Sequence, residues 1–259
     1  MSPSAKRSIT LYEQTQLAKY HILQTQLIQN SNLPVEYLTK HVDFAGLTFA
    51  IDQRALIPRV ETEELVNLGI AYIQNQKKQK NKVWQIADIG TGCGAMALAI
   101  AHQLLKTQIN HQILATDISK EALELAMLNA EALRLTKTIK FQHLDLLEKL
   151  PASCPKFDLI LANLPYIPTD RIPLLDKSVG EYEPKVALDG GPEGFSLIEK
   201  FLNQAKSKIK PNGLILLEID YTHPDLLKSK FRQDWRIHTW VSPLSRCIFA
   251  QLQPKSKII

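Results

Sequence analysis

The stretch Asp88-Ile89-Gly90-Thr91-Gly92-Cys93-Gly94 decides the fold. It follows a short apolar run, Val83–Ile89, that reads as a buried strand. It opens a longer, nearly all-apolar run, Ala95–Leu105, that reads as a helix. Glycines at alternate positions let the chain turn tightly from strand to helix, and they let a ligand approach with no Cβ in the way. The same alternation continues downstream. Gln112–Thr116 is a second strand, and Ser119 caps a helix through Arg134 with Ala122, Ala126 and Leu133 inward. Ile139–His143 is a third strand. Phe157–Ala162 is a fourth, apolar enough for the centre of a parallel sheet. A loop from Asn163 to Gly194 leads to a helix at Phe195–Ile209. A turn at Pro211-Asn212-Gly213 then leads to strands at Leu214–Ile219, Arg236–Val241 and Cys247–Leu252. The expected fold is α/β, a doubly wound and mostly parallel seven-stranded sheet with ligands at the carboxyl ends of its strands.

Upstream, the first forty residues read as helix. Leu17, Tyr20, Leu23 and Leu27 share one face, Asn30-Ser31-Asn32 breaks it, and Pro34 restarts a short helix. Phe44–Phe49 reads as a turn and strand, in the manner of a hairpin. A helix starts near Glu61 after Pro58, with Leu65, Leu68 and Tyr72 inward and Glu61, Glu63 and Glu64 suiting its amino-terminal dipole. Gln74 to Lys82 is a polar linker. Residues 1–42 are thus expected to form a short N-terminal helical region, and 43–259 a hairpin linker plus the α/β domain.

Composition narrows the possibilities further. The 259 residues are 45% hydrophobic and 22% charged, which argues against disorder. No apolar run reaches the ~20 residues needed to span a bilayer. The segment Met1–Thr10 lacks the apolar core of a signal peptide. Cys93, Cys154 and Cys247 form neither a disulfide framework nor a zinc pattern, so a cytoplasmic setting is expected, with no metal. The net charge of +5 is uneven: residues 81–195 carry −3 and residues 196–259 carry +6. That bias is compatible with work beside RNA or an acidic partner.

Two motifs carry chemistry. The spacing Gly-x-Gly-x-Gly differs from the dinucleotide fingerprint Gly-x-Gly-x-x-Gly, and no Gly-Lys-Ser/Thr follows as in a phosphate loop. With Asp88 two residues before the first glycine, it resembles the loop of class I methyltransferases that bind S-adenosylmethionine. Asp117 ends the next strand and can accept hydrogen bonds from both hydroxyls of a ribose. The second motif is Asn163-Leu164-Pro165-Tyr166, at the end of the fourth strand. It resembles the Asn-Pro-Pro-Tyr of enzymes that methylate planar NH₂ groups: adenine N6, cytosine N4 or the amide of glutamine. Such a nitrogen has a delocalised lone pair. Two acceptors, the Asn163 side-chain oxygen and the carbonyl of Leu164, would take its two N–H bonds and favour a pyramidal nitrogen. Tyr166 would stack on the planar group. Catalysis of this kind is orientation and electrostatics.

Three further segments resemble one family, the HemK/PrmC-type N5-glutamine methyltransferases that modify class 1 peptide chain release factors. They are Leu56-Ile57-Pro58-Arg59-Val60-Glu61-Thr62-Glu63-Glu64-Leu65-Val66; Glu181-Tyr182-Glu183-Pro184 through Ala187-Leu188 and Gly190-Gly191-Pro192-Glu193-Gly194; and Ser245-Arg246-Cys247-Ile248-Phe249-Ala250. The likeness runs from about residue 43 to residue 252. It implies cofactor contacts at Gly90, Thr91, Gly92, Cys93, Gly94, Asp117, Leu146 and Asn163, and a glutamine held by Asn163, Leu164, Pro165 and Tyr166. It also implies a release factor as protein substrate; separately, a monomer is expected. Leu164 stands where the family has proline, a form also seen in rRNA adenine dimethyltransferases, and Val60 also replaces a proline. The helical region before residue 43 is shorter than the family's. An adenine-N6 methyltransferase of RNA or DNA, a ribosomal-protein glutamine methyltransferase and a non-catalytic cofactor-fold module remain alternatives. Cys93 is read as a small packing residue without nucleophilic work.

Overall fold

The computed structural model describes residues 8–29, 32–76, 82–243 and 247–255. Met1–Arg7, Ser245-Arg246, the core of the Gln74–Lys82 linker and the side chain of Leu27 lie outside them. The N-terminal region is three short helices: α1 (Leu11–Lys19), α2 (Gln24–Gln29) and α3 (Val35–Thr39). A Thr10–Glu13 capping box starts α1. Leu17 is buried with Val35 in a small satellite cluster. Leu23, read above as sharing that inward face, is 71% exposed, because α1 ends at Lys19 and the turn that follows breaks the phase. A hairpin follows, β1 (His41–Phe44) and β2 (Leu47–Ala50). Its two-residue turn, Ala45-Gly46, has positive φ at both positions, which suits the right-handed twist of the paired strands. Lys19 pairs with Asp43 at 2.7 Å and Tyr20 stacks on His41, tying the helices to the hairpin.

The expected helix start near Glu61 is a 3₁₀ turn at Val60–Thr62; α4 itself runs Glu63–Asn75. Then come β3 (Trp84–Ile89), α5 (Ala95–Lys106), β4 (His111–Asp117), α6 (Lys120–Ala132), β5 (Ile139–His143) and β6 (Phe157–Ala162). Ser119 caps α6 through a bond from the Ala122 N–H. The segment read as an open loop, 163–194, contains two 3₁₀ turns (Thr169–Leu174 and Lys185–Ala187) and a single helical turn, α7 (Lys177–Gly180). The chain ends with α8 (Ser196–Lys208), β7 (Ile209–Ile219), α9 (His223–Phe231), β8 (Trp235–Val241) and β9 (Ile248–Pro254). Pro211-Asn212-Gly213 is absorbed into β7. The register jumps there from Phe157↔Ile209 to Leu159↔Leu214, so the proline sits in a bulge that needs no ladder donor.

The seven strands order as β5-β4-β3-β6-β7-β9-β8. β5 through β7 pair in parallel, and β9 runs antiparallel to both neighbours. Helices on the two faces cover two cores, which accounts for the unbroken apolar runs of β3 and β6. The strand order reverses between β3 and β6. The turns leaving these two strands therefore diverge and open a crevice at their carboxyl ends.

Candidate active site

The glycine loop leaves β3 at that crevice. Gly90, Gly92 and Gly94 all have positive φ, as the alternation of glycines required. The Gly90 and Thr91 N–H groups both donate to the Thr116 carbonyl at the end of β4, 2.9 Å each. Asp88 is fully buried beneath the loop. Its Oδ2 accepts from the Thr91 hydroxyl (2.7 Å) and the Ala97 N–H (3.0 Å), which fixes the curl of the loop onto α5. Burial lifts this carboxyl to about 6, against the pull of the Thr91 and Ala97 bonds. Cys93 is buried, and burial pushes its thiol up to about 12, which suits packing and not nucleophilic work.

Asp117 closes β4. One oxygen accepts from the Gly92 N–H (2.8 Å), the other from the Ser119 N–H (2.9 Å). Each oxygen keeps a second lone pair. Leu146, in the loop after β5, has φ +58, and its carbonyl accepts from the Thr116 hydroxyl. A left-handed leucine costs roughly 1 kcal/mol, so the surrounding contacts impose it. Gly90–Cys93, Asp117, Leu146 and Asn163–Pro165 line one cavity, together with Ile118, Pro58 and Thr62.

At the end of β6 the Asn163 amide nitrogen donates to the Thr62 hydroxyl and to Glu218 Oε2, both at 3.1 Å. The Thr62 hydroxyl itself donates to Glu218 Oε2 (2.7 Å), and the Tyr166 hydroxyl donates to Glu218 Oε1 (2.9 Å). Burial and the neighbouring Glu218 push the Tyr166 phenol well above its ordinary range, so it stays protonated. Leu164 is only 3% exposed. Its side chain lies against Gly90, close enough that a Cβ there would meet Leu164 Cδ2 at 3.1 Å.

The segments flanking these motifs in sequence meet behind them. Arg59 pairs with the buried Glu183, which also accepts from the Ile57 N–H, so residues 56–66 and 181–194 are joined by an ion pair whose carboxylate end is buried. Residues 188–191 pair with the chain just after Asn163–Tyr166: Ile167 N–H donates to the Leu188 carbonyl, Gly190 N–H to Ile167 and Thr169 N–H to Gly191. Three residues in the site escaped the sequence reading: Thr62, Glu218 and Asn129. Asn129, on α6, bonds both the N–H and carbonyl of Ala50 and the carbonyl of Cys93, locking hairpin to glycine loop. A signal existed for two of them. Glu218 is a lone charge in the apolar run Leu214–Ile219, and Asn129 a lone amide on the buried stripe of its helix.

Part of the basic C-terminal region is tied up within the chain. Lys200, Lys206, Lys210 and Lys230 pair with Asp145, Asp234, Asp158 and Glu199. Lys208 and Lys255 donate to backbone carbonyls. Among the described residues no helix is long and apolar enough to cross a membrane.

Comparison with known proteins agrees with this architecture. A family profile described as "Methyltransferase domain" matches residues 80–251. The release factor glutamine methyltransferase of Lactococcus lactis subsp. lactis is 38% identical over 79% of this chain and 70% of that protein. That of Clostridium acetobutylicum is 36% identical over 74% of this chain, but the match spans only 64% of the relative's length. Among solved structures, the ribosomal protein L11 methylase from Lactobacillus delbrueckii subsp. bulgaricus superposes with a TM-score of 0.53 at 25% identity, covering 78% of this chain and 82% of that one. With its seven-stranded class I methyltransferase sheet, the chain belongs to the release factor glutamine methyltransferase family.

Proposed function

We propose that this chain methylates the side-chain amide nitrogen (N5) of the glutamine in the Gly-Gly-Gln loop of class 1 release factors, with S-adenosylmethionine as methyl donor. The observation that carries the reading is that Asn163, Leu164 and Pro165 line the same cavity as Gly90–Cys93, Asp117 and Leu146. The residues present fit that cofactor. At Gly92 a Cβ would find only Ala55 Cβ, at 3.9 Å, the Asp117 oxygens keep lone pairs for two ribose hydroxyls, and Ile118 and Leu146 offer apolar walls for a base. When bound, the cofactor supplies a methyl group on a cationic sulfur, an electrophile already activated.

The chain's own residues then have one task, to present the nitrogen. Asn163 turns its NH₂ inward to Thr62 and Glu218, which leaves Oδ1 as the acceptor for a substrate N–H. The Leu164 carbonyl serves as the second acceptor, and leucine keeps that carbonyl as well as proline does. Tyr166, its hydroxyl anchored on Glu218, supplies a ring against the planar amide. A protonated phenol is no base, and none is required, because a methylated, positively charged nitrogen is acidic enough to release its proton to water.

The helical region before residue 43 serves in this proposal as the docking element for the factor, and residues 43–259 as hairpin and catalytic domain. Support comes from α1 and α3, which Tyr12–Glu36 and Lys19–Asp43 hold to each other and to the hairpin, with Leu11 and Leu23 left exposed. The enzyme is proposed to act as a monomer in the cytoplasm, a setting that suits three free cysteines. The adenine reading loses its main support. The Leu164 side chain packs on the glycine loop, and Lys200, Lys206, Lys210 and Lys230 of the basic C-terminal region are paired internally.

The test is transfer of labelled methyl from S-adenosylmethionine to a release factor, its Gly-Gly-Ala variant, ribosomal proteins and rRNA in parallel. Label confined to the Gly-Gly-Gln factor is expected. Label that persists on the Gly-Gly-Ala factor, or falls only on ribosomal protein or RNA, would overturn the assignment.

A further inference from the structure

We propose that Glu218 is a positioning residue for methyl transfer: as an acceptor-only group behind the motif, it decides which way round the Asn163 amide sits and anchors Tyr166. The inference rests on the reading of Asn163 given above. Glu218 lies at the end of β7, next to β6 in the sheet, and is 2% exposed. Three donors from two separate segments converge on its two oxygens: the Thr62 and Tyr166 hydroxyls and the Asn163 amide.

The consequence follows from donor and acceptor chemistry alone. The two ends of an asparagine amide have nearly the same shape, so packing does not choose between them. Burial raises the Glu218 carboxyl while the Thr62 and Tyr166 bonds pull it down, and both its oxygens already act as acceptors, Oε2 for the Thr62 hydroxyl and Oε1 for the Tyr166 hydroxyl; the end of Asn163 that faces it is therefore the NH₂. That nitrogen has two hydrogens. Glu218 Oε2 and the Thr62 hydroxyl, whose own proton is committed to Glu218, lie 2.7 Å apart and 3.1 Å from that nitrogen, so they share the inward-facing NH₂. The NH₂ is held on the inner side, and Oδ1 is turned the other way. In the reversed orientation Oδ1 would face a carboxylate oxygen with no proton between them, and two NH₂ donors would meet at the reacting nitrogen. The burial of Glu218 makes that mismatch costly, because the low local dielectric strengthens the repulsion between two acceptors.

A glutamine at 218 would keep the size and shape of the side chain but present both a donor and an acceptor, so Asn163 would lose its bias. The groups charged or titratable around this cluster are Arg59 and Glu61 from the segment before α4, Tyr166 from the loop after β6, Cys247 from just before β9, and Glu218 itself.

The experiment compares wild type, Glu218→Gln and Thr62→Val by two readouts. The first is kinetic. With a Gly-Gly-Gln release factor as acceptor, E218Q should lower kcat and kcat/KM together by at least about tenfold, with KM, cofactor Kd and Tm near wild type, as expected when only orientation at the reacting atom is lost. T62V, which keeps the carboxylate, should lose only a few-fold. The second is independent of substrate. In ¹⁵N-asparagine-labelled protein, the Asn163 side-chain amide, assigned by its disappearance in Asn163→Ser, should exchange its protons with solvent at least about tenfold faster in E218Q, with neighbouring backbone amides unchanged. Unaltered exchange of that amide in E218Q, or an E218Q kcat within twofold of wild type, overturns the proposal. A wild-type enzyme that leaves the release factor unmethylated refutes the substrate reading instead, and the exchange measurement still decides the role of Glu218.

Discussion

Gly190→Ala tests whether the Gly190–Gly194 segment is a buttress for the substrate motif. Gly190 has an ordinary backbone conformation, so the substitution brings no φ strain. Its Cβ would lie 2.6 Å from the Pro165 carbonyl oxygen and 2.5 Å from that of Gly194. Both neighbours are backbone, and Pro165 belongs to the motif that holds the glutamine. Moving the Pro165 oxygen from 2.6 Å to the 3.0 Å below which real contacts are not seen requires a shift of at least 0.4 Å, and ordinary contact requires 0.8 Å. A misplacement of about 1 Å costs on the order of a hundredfold in rate, so a shift of this size should lower kcat by roughly ten- to a hundredfold. Overpacking of this kind costs about 1–3 kcal/mol of stability. The glycine loop bonds to β4 and Asp88, not to this segment, so cofactor Kd should stay within about twofold. Gly46→Ala is the matched control. Its φ is +74 but nothing lies within 4 Å of the new Cβ, so it should cost about 1–2 kcal/mol of conformational strain and leave kcat alone. The assay is initial-rate methyl transfer to a release factor, with cofactor Kd by calorimetry and stability by urea titration. A G190A enzyme with wild-type kcat, or one that loses cofactor affinity as much as turnover, would refute the buttress.

Three further outcomes are expected. Asp117→Ala removes the proposed ribose acceptor and frees the Gly92 and Ser119 N–H groups, so cofactor Kd should rise about ten- to a hundredfold with little change in kcat at saturation; an unchanged Kd by equilibrium dialysis would discard the assignment. Asn129→Ala deletes three bonds between hairpin, helix and glycine loop and should cost about 2–4 kcal/mol in denaturant unfolding, whereas a loss under 1 kcal/mol would show that the lock is weak. Asp88 is protonated up to about 6 when folded but ionises near 3.8 when unfolded, so the folded state holds more protons between these values. Stability is therefore lost as pH rises through that window, by about 3 kcal/mol at 1.36 kcal/mol per pH unit, and Asp88→Asn should remove that slope. A difference in unfolding free energy between wild type and D88N that is flat from pH 3.5 to 6.5 would contradict it.

The sequence by itself determined the order of elements. Local composition settles whether Val83–Ile89 or Ala95–Leu105 is strand or helix, and the chirality of parallel crossovers then leaves few sheets to choose from. The glycine loop was legible because glycine adopts the positive φ values of Gly90, Gly92 and Gly94 without the steric cost other residues carry there. Motif spacing likewise put Asn163 at a strand end, where the structure finds it. Sequence reading went wrong where tertiary context overrules local preference. Leu23 lost its place on the inward face when α1 stopped at Lys19, and the Pro211-Asn212-Gly213 turn became a bulge because β6 supplied a partner strand. Only the fold could decide the connections across the site. Glu218 comes from β7, Thr62 from before α4 and Asn163 from the end of β6, and no period or motif relates them. A hydrogen bond needs its partners within about 3 Å of each other. Residues 101 and 55 positions from Asn163 reach that distance only once the sheet has closed on itself.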